Sequence, residues 1–563
     1  MTDRTASILK NLEQHKTRFG DGAGDRKLDL LKALQTRRLS RSKDVLLLHE
    51  TLCFIRAYPD SPQVLAQVEM MLADFARRSD LRRHHRALVN SGIAGTSIRI
   101  SFYQATATWL AKRWGAYLTV DWEDFEQVER LENLLPLLAL YCETPGLDEC
   151  AFELQQWLHR LKAPQETDAS FLLRRLEHTG LDSFAREILF EEIEVPLHLS
   201  PGLDTPARTR EKYAKAKVVY QTNPLLRLRP SIPEEVRRPP ESVRLLNPRE
   251  GRPLVDLARG AMAARNRDLD AFAYADSGDV RLVQCEDGYQ FAFMGAVPER
   301  RFLLESLYGY LVLKSGVPIG YGTYTGLFNS AEVAFTIFDT FRAGESARVY
   351  GWALAIATQV FGFDTFVIDP YQLGEDNEDA VRSGAWWFYQ KLGYRPKAAS
   401  HLRTMHRELE RMRADPAHRS SPETLRRLAT ENVYLHLARP REDIIGELPL
   451  ENVGLHITRF LAERFGADRH RAGKACSRDA ARLLGLRRLP GLSAGERLAW
   501  ERWSPLILIL PGVAKWPKQD KRLLFETVRA KGGRRESDFT AMFDSHRRLR
   551  RAIRTLALRE VDA

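Results

Sequence analysis

The first two hundred residues follow a helical pattern of apolar positions. Apolar side chains recur at three- and four-residue spacings in segments such as "SPQVLAQVEMMLADFARR", and several segments begin at serine or aspartate. Both residue types cap helix N-termini well because their side-chain oxygens accept backbone N–H groups. The pattern does not repeat at any fixed long period, which argues against a solenoid. We therefore predict an α-helical domain over residues 1–205.

The helical pattern then stops in a stretch rich in proline and arginine. Seven prolines lie between residues 224 and 253. Proline lacks a backbone N–H and cannot continue a helix, so this composition is typical of a connecting segment. We predict a linker over residues 206–250 and a domain boundary at its end.

Residues 251–400 alternate between strand-like and helix-like patterns. Two extended apolar runs flank Ser315-Gly316 and predict a β-hairpin. Further strands are predicted at "DVRLVQC", "AEVAFTIFDTF", "DTFVIDP" and after Gly393; helices are predicted at "LVDLARGAMAARN", from Pro298, at "ESARVYGWALAIATQVFG" and at "GAWWFYQK". This order predicts an α/β domain with a mixed, mostly antiparallel sheet and helices. Residues 401–563 return to the helical pattern and predict an α-helical C-terminal region.

Composition limits the class of protein. No apolar run is long enough to span a bilayer, the five cysteines form no CxxC pair, and no metal-ligand cluster is visible. We therefore expect a cytoplasmic protein with no membrane association and no bound metal. The net charge of +11 favours an anionic partner, although a basic solvated surface explains it equally well.

The aromatic segment at 384–396 carries the most specific signal. Its residues Ala385, Phe388, Tyr389, Lys391 and Gly393 follow the pattern A-x-x-F-Y-x-K-x-G-F, and Tyr394 stands at the position of the final phenylalanine. In this segment and in the order of elements before it, the region 251–400 resembles the GNAT superfamily of N-acetyltransferases. The resemblance implies direct transfer of an acetyl or other acyl group from acetyl-CoA or another acyl-CoA to an amine, here an unidentified acceptor.

The resemblance also implies a cofactor loop between the third strand and the helix that follows it. A helix N-terminus attracts phosphate because its first amides are unpaired and the helix dipole is positive there. The implied cofactor-binding residues are Ile337, Phe338, Arg342, Ala343, Gly344, Ser346 and Ala347. The chain departs from the family pattern Arg/Gln-x-x-Gly-x-Gly/Ala at Glu345, which replaces the central glycine. We expect the carboxylate of Glu345 to compete with the charge of a pyrophosphate.

Two side chains are candidates for proton transfer. Tyr389 corresponds to the general acid of many family members, although aromatic residues of a short helix are buried in any case. Glu332 is the preferred general base, and Asp339 on the same predicted strand is the alternative. For both acidic residues, a solvated surface carboxylate is a more common role than that of a catalytic base.

A second hypothesis places the protein in another functional class. In this alternative a non-catalytic GNAT-like scaffold binds nucleic acid or another acidic macromolecule through its arginine-rich helices. The sequence shows no helix-turn-helix, zinc-finger or aromatic RNP motif that would support it. Aminoacyl transfer from charged tRNA is a third hypothesis, for which no particular residue argues.

Overall fold

The computed structural model of the chain describes residues 2–226, 230–486, 489 and 491–560. Its N-terminal helices pack against the central sheet, because their apolar faces share one hydrophobic core with the strands. These helices are α1 to α5, at Thr2–His15, Ala23–Gln35, Ser42–Ala57, Pro62–Ala73 and Ser79–Arg83.

Residues 98–199 form a second unit with a hydrophobic core of its own. Here the prediction of helices alone was incomplete, because three short strands form a small antiparallel sheet in the order β1-β3-β2. Strands of three residues are too short to show a two-residue period in the sequence. The strands are β1 (Ile98–Ile100), β2 (Leu118–Val120) and β3 (Leu197–Leu199); the helices are α6 (Gln104–Trp114), α7 (Val128–Asn133), α8 (Leu135–Leu138), α9 (Thr144–Glu149), α10 (Leu154–Leu161), α11 (Asp168–Glu177) and α12 (Ser183–Ile193).

The described parts of the segment predicted as a linker, residues 206–226 and 230–250, are packed onto the protein rather than extended through solvent. The segment contains a short helix α13 (Ile232–Glu235) and an edge strand β4 (Ser242–Leu245), which pairs with the central sheet. The Arg56 guanidinium donates to the carbonyl of Thr209 at 2.6 Å and fixes the start of the segment. Its prolines interrupt helix, but tertiary contacts still order the chain.

The central region contains the strands and helices between residues 248 and 396. Its helices are α14 (Pro248–Ala263), α15 (Asp270–Ala273), α16 (Ser346–Phe361), α17 (Pro370–Leu373), α18 (Glu378–Ser383) and α19 (Ala385–Lys391). Its strands are β5 (Ala275–Gln284), β6 (Tyr289–Ala296), β7 (Ser306–Lys314), β8 (Val317–Leu327), β9 (Ser330–Ile337), β10 (Thr365–Ile368) and β11 (Arg395–Pro396).

Two local predictions in this region have opposite outcomes. The hairpin is confirmed: Ser315 and Gly316 turn between β7 and β8 with φ angles of 50° and 82°. The helix predicted from Pro298 is wrong, since only a 3-10 turn forms at Pro298–Arg300. The following apolar run belongs to β7, which is buried along its whole length, and a fully buried strand cannot be told from a helix by periodicity alone.

Residues 399–557 form helices around one further strand. The helices are α20 (Ala399–Ala414), α21 (Pro422–Leu428), α22 (Leu450–Phe465), α23 (Arg469–Leu484), α24 (Ala494–Ile509), α25 (Lys518–Lys531), α26 (Glu536–Ser545) and α27 (Arg547–Ala557). The strand β12 (Val433–His436) lies between β10 and β11, so the region predicted as α-helical after residue 400 also supplies a strand to the central sheet. The short strand β11 needs β12 to reach the sheet.

Nine strands of the described residues form the central sheet in the order β11-β12-β10-β9-β8-β7-β6-β5-β4. Neighbouring strands are antiparallel except β9 and β10, which are parallel. The predicted mixed, mostly antiparallel sheet is therefore confirmed. No helix among the described residues has the length and apolar character to cross a membrane.

Candidate active site

The parallel strands β9 and β10 separate from each other partway along the sheet. They pair only where Ser330–Glu332 lies beside Thr365–Val367. Beyond this point β9 continues to Ile337 on the β8 side alone, while β10 ends at Ile368. Among the described residues, the backbone of Val333–Ile337 thus has no strand partner on its second edge, and a gap opens in the sheet.

A cleft of about 1180 Å³ occupies this gap. One wall comes from β8, β9, the start of α16, and α17 to α19; the other comes from residues 100–103, 190–195 and 266–269. The second wall therefore joins the unit at residues 98–199 to the central sheet. A cleft of this size exceeds the range of about 300–1,000 Å³ that is usual for small-molecule sites.

The aromatic helix α19 serves both the core and the cleft. Trp386 and Trp387 are buried, whereas Phe388 and Tyr389 line the cleft. The side chain of Tyr389 is only 3% exposed, and its ring lies 5.7 Å from the ring of Tyr350. Burial raises the pKa of the Tyr389 phenol, so the hydroxyl keeps its proton. Within the described residues the Tyr389 hydroxyl forms no hydrogen bond, which leaves it free to donate into the cleft.

The loop before α16 only partly matches its predicted role. Ile337, Arg342 and Ser346 line the cleft. Ser346 is the first residue of a helix of 16 residues, so the N-terminus of that helix opens there. Arg342 is exposed and pairs with Asp339 at 2.8 Å. Asp339, the alternative base, is thereby engaged by a cation and lies outside the cleft lining.

The remaining predicted loop residues lie outside the lining. Phe338 is buried 3.7 Å beneath the Arg265 guanidinium, and its backbone N–H donates to the carbonyl of Ile319. Gly344 faces the protein interior, because an added Cβ would lie 2.8 Å from the hydroxyl of Tyr58. Ala343 and Ala347 are accessible to solvent at positions off the cleft wall.

Glu345 points away from the cleft, contrary to the expectation that its charge would compete with a pyrophosphate. Its side chain is 3% exposed. The carboxylate accepts hydrogen bonds from the Tyr289 hydroxyl at 2.7 Å and from the Leu226 N–H at 2.9 Å, and it lies 3.4 Å from the Arg348 guanidinium. A buried network thus satisfies the charge, and Glu345 anchors the loop from behind.

Glu332 occupies the point at which the two parallel strands part. Alternate residues of a strand share a face, so Glu332 lies on the face that Ala334 and Thr336 present to the cleft. Glu332 lies two residues before Ala334, where β9 still pairs with β10, and it is not itself part of the cleft lining. Burial, and then the nearby carboxylates of Asp369 and Glu305, raise the pKa of Glu332 to about 7.

The opposite wall carries polar residues that the sequence analysis did not single out. Tyr103, Glu191, Glu194 and Asp268 line it. Partial burial and the neighbouring carboxylate of Glu187 raise the pKa of Glu191. Burial raises the pKa of Asp268 to about 7, although the Tyr103 N–H donates to its carboxylate at 3.0 Å. These residues belong to distant segments, and no local motif connects them.

Two residues of this wall hold an unusual backbone conformation. Glu194, at the end of α12, has a φ angle of 53°, and Asn266, after α14, has a φ angle of 54°. Left-handed backbone is uncommon for residues other than glycine and is often found at functional sites. Glu194 directly follows α12, Asn266 lies three residues beyond the end of α14, and both residues line the cleft.

The cleft brings together several groups that can bind a ligand. It combines a helix N-terminus, a guanidinium at Arg342, unpaired strand edge at β9 and a phenol donor at Tyr389. The helix N-terminus and Arg342 can bind phosphate, and the unpaired strand edge can form hydrogen bonds with a chain that carries amide groups. No group of three His, Cys, Asp or Glu side chains among the described residues could hold a metal ion.

Comparisons with protein-family models, with curated proteins and with solved structures found no match for this chain.

Proposed function

We propose that this protein is a GNAT-like N-acyltransferase, which transfers an acetyl or other acyl group from acyl-CoA to an amine by direct attack. The observation that carries the proposal is the gap between β9 and β10, into which the N-terminus of α16 and the buried phenol of Tyr389 both open. The match at residues 385–394 supports the same reading.

The donor side of the cleft is the loop between β9 and α16. Arg342 and the first amides of α16 would hold the phosphates of the donor. When bound, acyl-CoA supplies a thioester carbonyl that an amine can attack without a covalent enzyme intermediate. Glu345 does not oppose phosphate binding at this loop, because its carboxylate lies behind the loop, where it pairs with Arg348 and accepts a hydrogen bond from Tyr289.

Proton transfer falls to Tyr389 and Glu332. With a pKa of about 7, Glu332 is partly ionised at neutral pH and can accept the proton that the amine must lose. Tyr389 keeps its proton because it is buried, and its hydroxyl can donate to a departing thiolate. Tyr389 lines the cleft from α19, whereas Glu332 lies on β9 two residues before the first cleft-lining residue of that strand.

The acceptor side is the wall built from residues 100–103, 190–195 and 266–269. Its carboxylates at Glu191 and Glu194 are exposed to the cleft and would attract an ammonium group. The unit at residues 98–199 would therefore select the acceptor.

Calorimetric titration with acetyl-CoA tests this proposal. We expect saturable binding that Arg342→Ala weakens by about tenfold or more, because a charged hydrogen bond to phosphate is lost. Arg77→Ala is the matched control, since Arg77 is also exposed and pairs with an aspartate three residues away. Absence of binding by acetyl-CoA and longer acyl-CoAs would contradict the proposal and favour a scaffold role.

A further inference from the structure

A second pocket lies at the other end of the central sheet, away from the cleft. Its volume is about 220 Å³. We call it the lysine pocket; the residues that matter here are Tyr213, Lys215, Lys217, Ser242, Arg244 and Gln290. At about 30 Å³ per water molecule this space would hold roughly seven waters, which suits a small metabolite.

The floor of the lysine pocket is a polar row across three strands. Ser242 on β4 lies opposite Gln284 on β5, and Gln284 lies opposite Gln290 on β6. Cross-strand neighbours share one face of a sheet, so these side chains point the same way. Ser242 lies on the exposed edge strand, whereas Gln290, on an inner strand, is only 6% exposed, and glutamine is mostly an exposed residue.

The row leaves one buried acceptor without a partner. The Gln284 amide nitrogen lies 3.2 Å from the carbonyl of Cys285 and 3.4 Å from that of Tyr289, which fixes the orientation of that amide. Its oxygen then accepts from the Gln290 amide at 2.8 Å, which fixes the second amide as well. As a result, Gln290 Oε1 is a buried oxygen that accepts no hydrogen bond within the described residues. A buried acceptor of this kind is costly unless a donor group reaches it.

The roof of the lysine pocket is held in place and carries positive charge. The Tyr213 N–H donates to the carbonyl of Gly316 at 2.8 Å, so the strand turn anchors the segment. Lys215 and Lys217 are exposed and form no ion pair with any residue in the described part of the chain. Glu250, the only acidic side chain among the described residues that line the pocket, already pairs with Arg244 at 3.2 Å and accepts from Asn247.

We propose that the lysine pocket binds a small phosphorylated compound that carries hydroxyl groups, of about the size of a pentose phosphate. The phosphate would lie between Lys215 and Lys217, and a hydroxyl would donate to Gln290 Oε1. Ser242 and Tyr213 provide two further hydroxyl groups, each able to donate or accept. This site is independent of the proposed acyl transfer.

Titration of the full chain with ribose 5-phosphate tests this assignment. We expect saturable binding that Lys215→Ala/Lys217→Ala weakens at least about tenfold, because two charged contacts are removed. Lys43→Ala/Lys474→Ala removes the same charge from exposed lysines elsewhere and should leave the affinity unchanged. The lysine-pocket pair should also leave acetyl-CoA binding unchanged, which separates this test from that of the proposed function.

Comparison of ligands and a floor variant complete the test. Ribose and inorganic phosphate should each bind more weakly than ribose 5-phosphate, because each makes only part of the contacts. Gln290→Met should reduce the affinity for ribose 5-phosphate to that for inorganic phosphate, and Ser242→Ala is a milder variant if Gln290→Met fails to fold. The assignment is overturned if ribose 5-phosphate shows no saturable binding at millimolar concentration, if both lysine pairs have equal effects, or if inorganic phosphate binds as well as ribose 5-phosphate.

Discussion

The two walls of the cleft differ in how their residues are related along the chain. The donor wall comes from residues 321–389, where strand, loop and helix follow one another directly. The wall proposed to hold the acceptor comes from residues 100–103, 190–195 and 266–269, which only the tertiary fold brings together, since the third segment lies outside the unit at 98–199. The comparison shows why a local motif can suggest a reaction and still leave the substrate open: the wall opposite the motif is built from segments that are far apart in sequence.

The largest expected effect concerns Tyr389 on the donor wall. Tyr389→Phe should lower turnover by roughly 10²-fold, the range usual for a general acid, and leave acyl-CoA affinity nearly unchanged. Steady-state kinetics with calorimetry would measure both. Tyr141→Phe, at a tyrosine that is 91% exposed, is the control. Unchanged turnover would remove Tyr389 from the mechanism.

Glu345 tests whether the donor loop is anchored from behind. Glu345→Ala should lower the free energy of unfolding by about 3 kcal/mol, because it leaves Arg348 and the Tyr289 hydroxyl buried with fewer partners. Acyl-CoA affinity of the folded protein should stay within about twofold. Denaturant titration and calorimetry would measure these effects, with the exposed Glu375→Ala as control. A marked gain in acyl-CoA affinity would show that Glu345 faces the ligand after all.

Glu332, as the proposed base, should make both the reaction rate and the stability of the fold depend on pH. Its pKa is about 7 in the folded chain against an ordinary value of about 4.3, so the folded state holds this proton more tightly. The contribution of Glu332 to the free energy of unfolding is therefore largest at acid pH and falls as the pH rises from about 4 to about 7. Because a base must be ionised, kcat/KM should rise through about pH 7.

Glu332→Gln should remove both effects at once. Turnover should fall about tenfold or more, while the free energy of unfolding at pH 8 should rise by about 1–3 kcal/mol. Glu423→Gln, at an exposed position, should change neither quantity. A variant that keeps the rise in kcat/KM near pH 7 would assign that titration to another group.

The smallest expected effect concerns the acceptor wall. Glu191→Gln/Glu194→Gln should raise the KM for a cationic acceptor several-fold, roughly what 1 kcal/mol of screened attraction provides, and leave acyl-CoA affinity unchanged. Glu192→Gln, on the same helix but outside the cleft lining, is the control. Equal effects of both changes would mean that the unit at 98–199 acts only through its overall charge.

Local sequence determined those parts of the molecule in which neighbouring residues cooperate. The Ser315-Gly316 turn needs left-handed backbone, and the aromatic run from Trp386 to Tyr389 surrounds its helix, so most of that helix must be buried. Both features depend on a few consecutive residues. The hairpin and the aromatic helix could therefore be predicted from the sequence.

Tertiary structure decided the features that depend on distant partners. The strand β12 is only four residues long and is defined by pairing with β10 and β11. The direction of Glu345 depends on Tyr289 and Leu226, and the free oxygen of Gln290 depends on how Gln284 is held. The sequence records that these groups are polar. Whether a polar group faces a ligand or a buried partner is set by long-range packing, which no local pattern encodes.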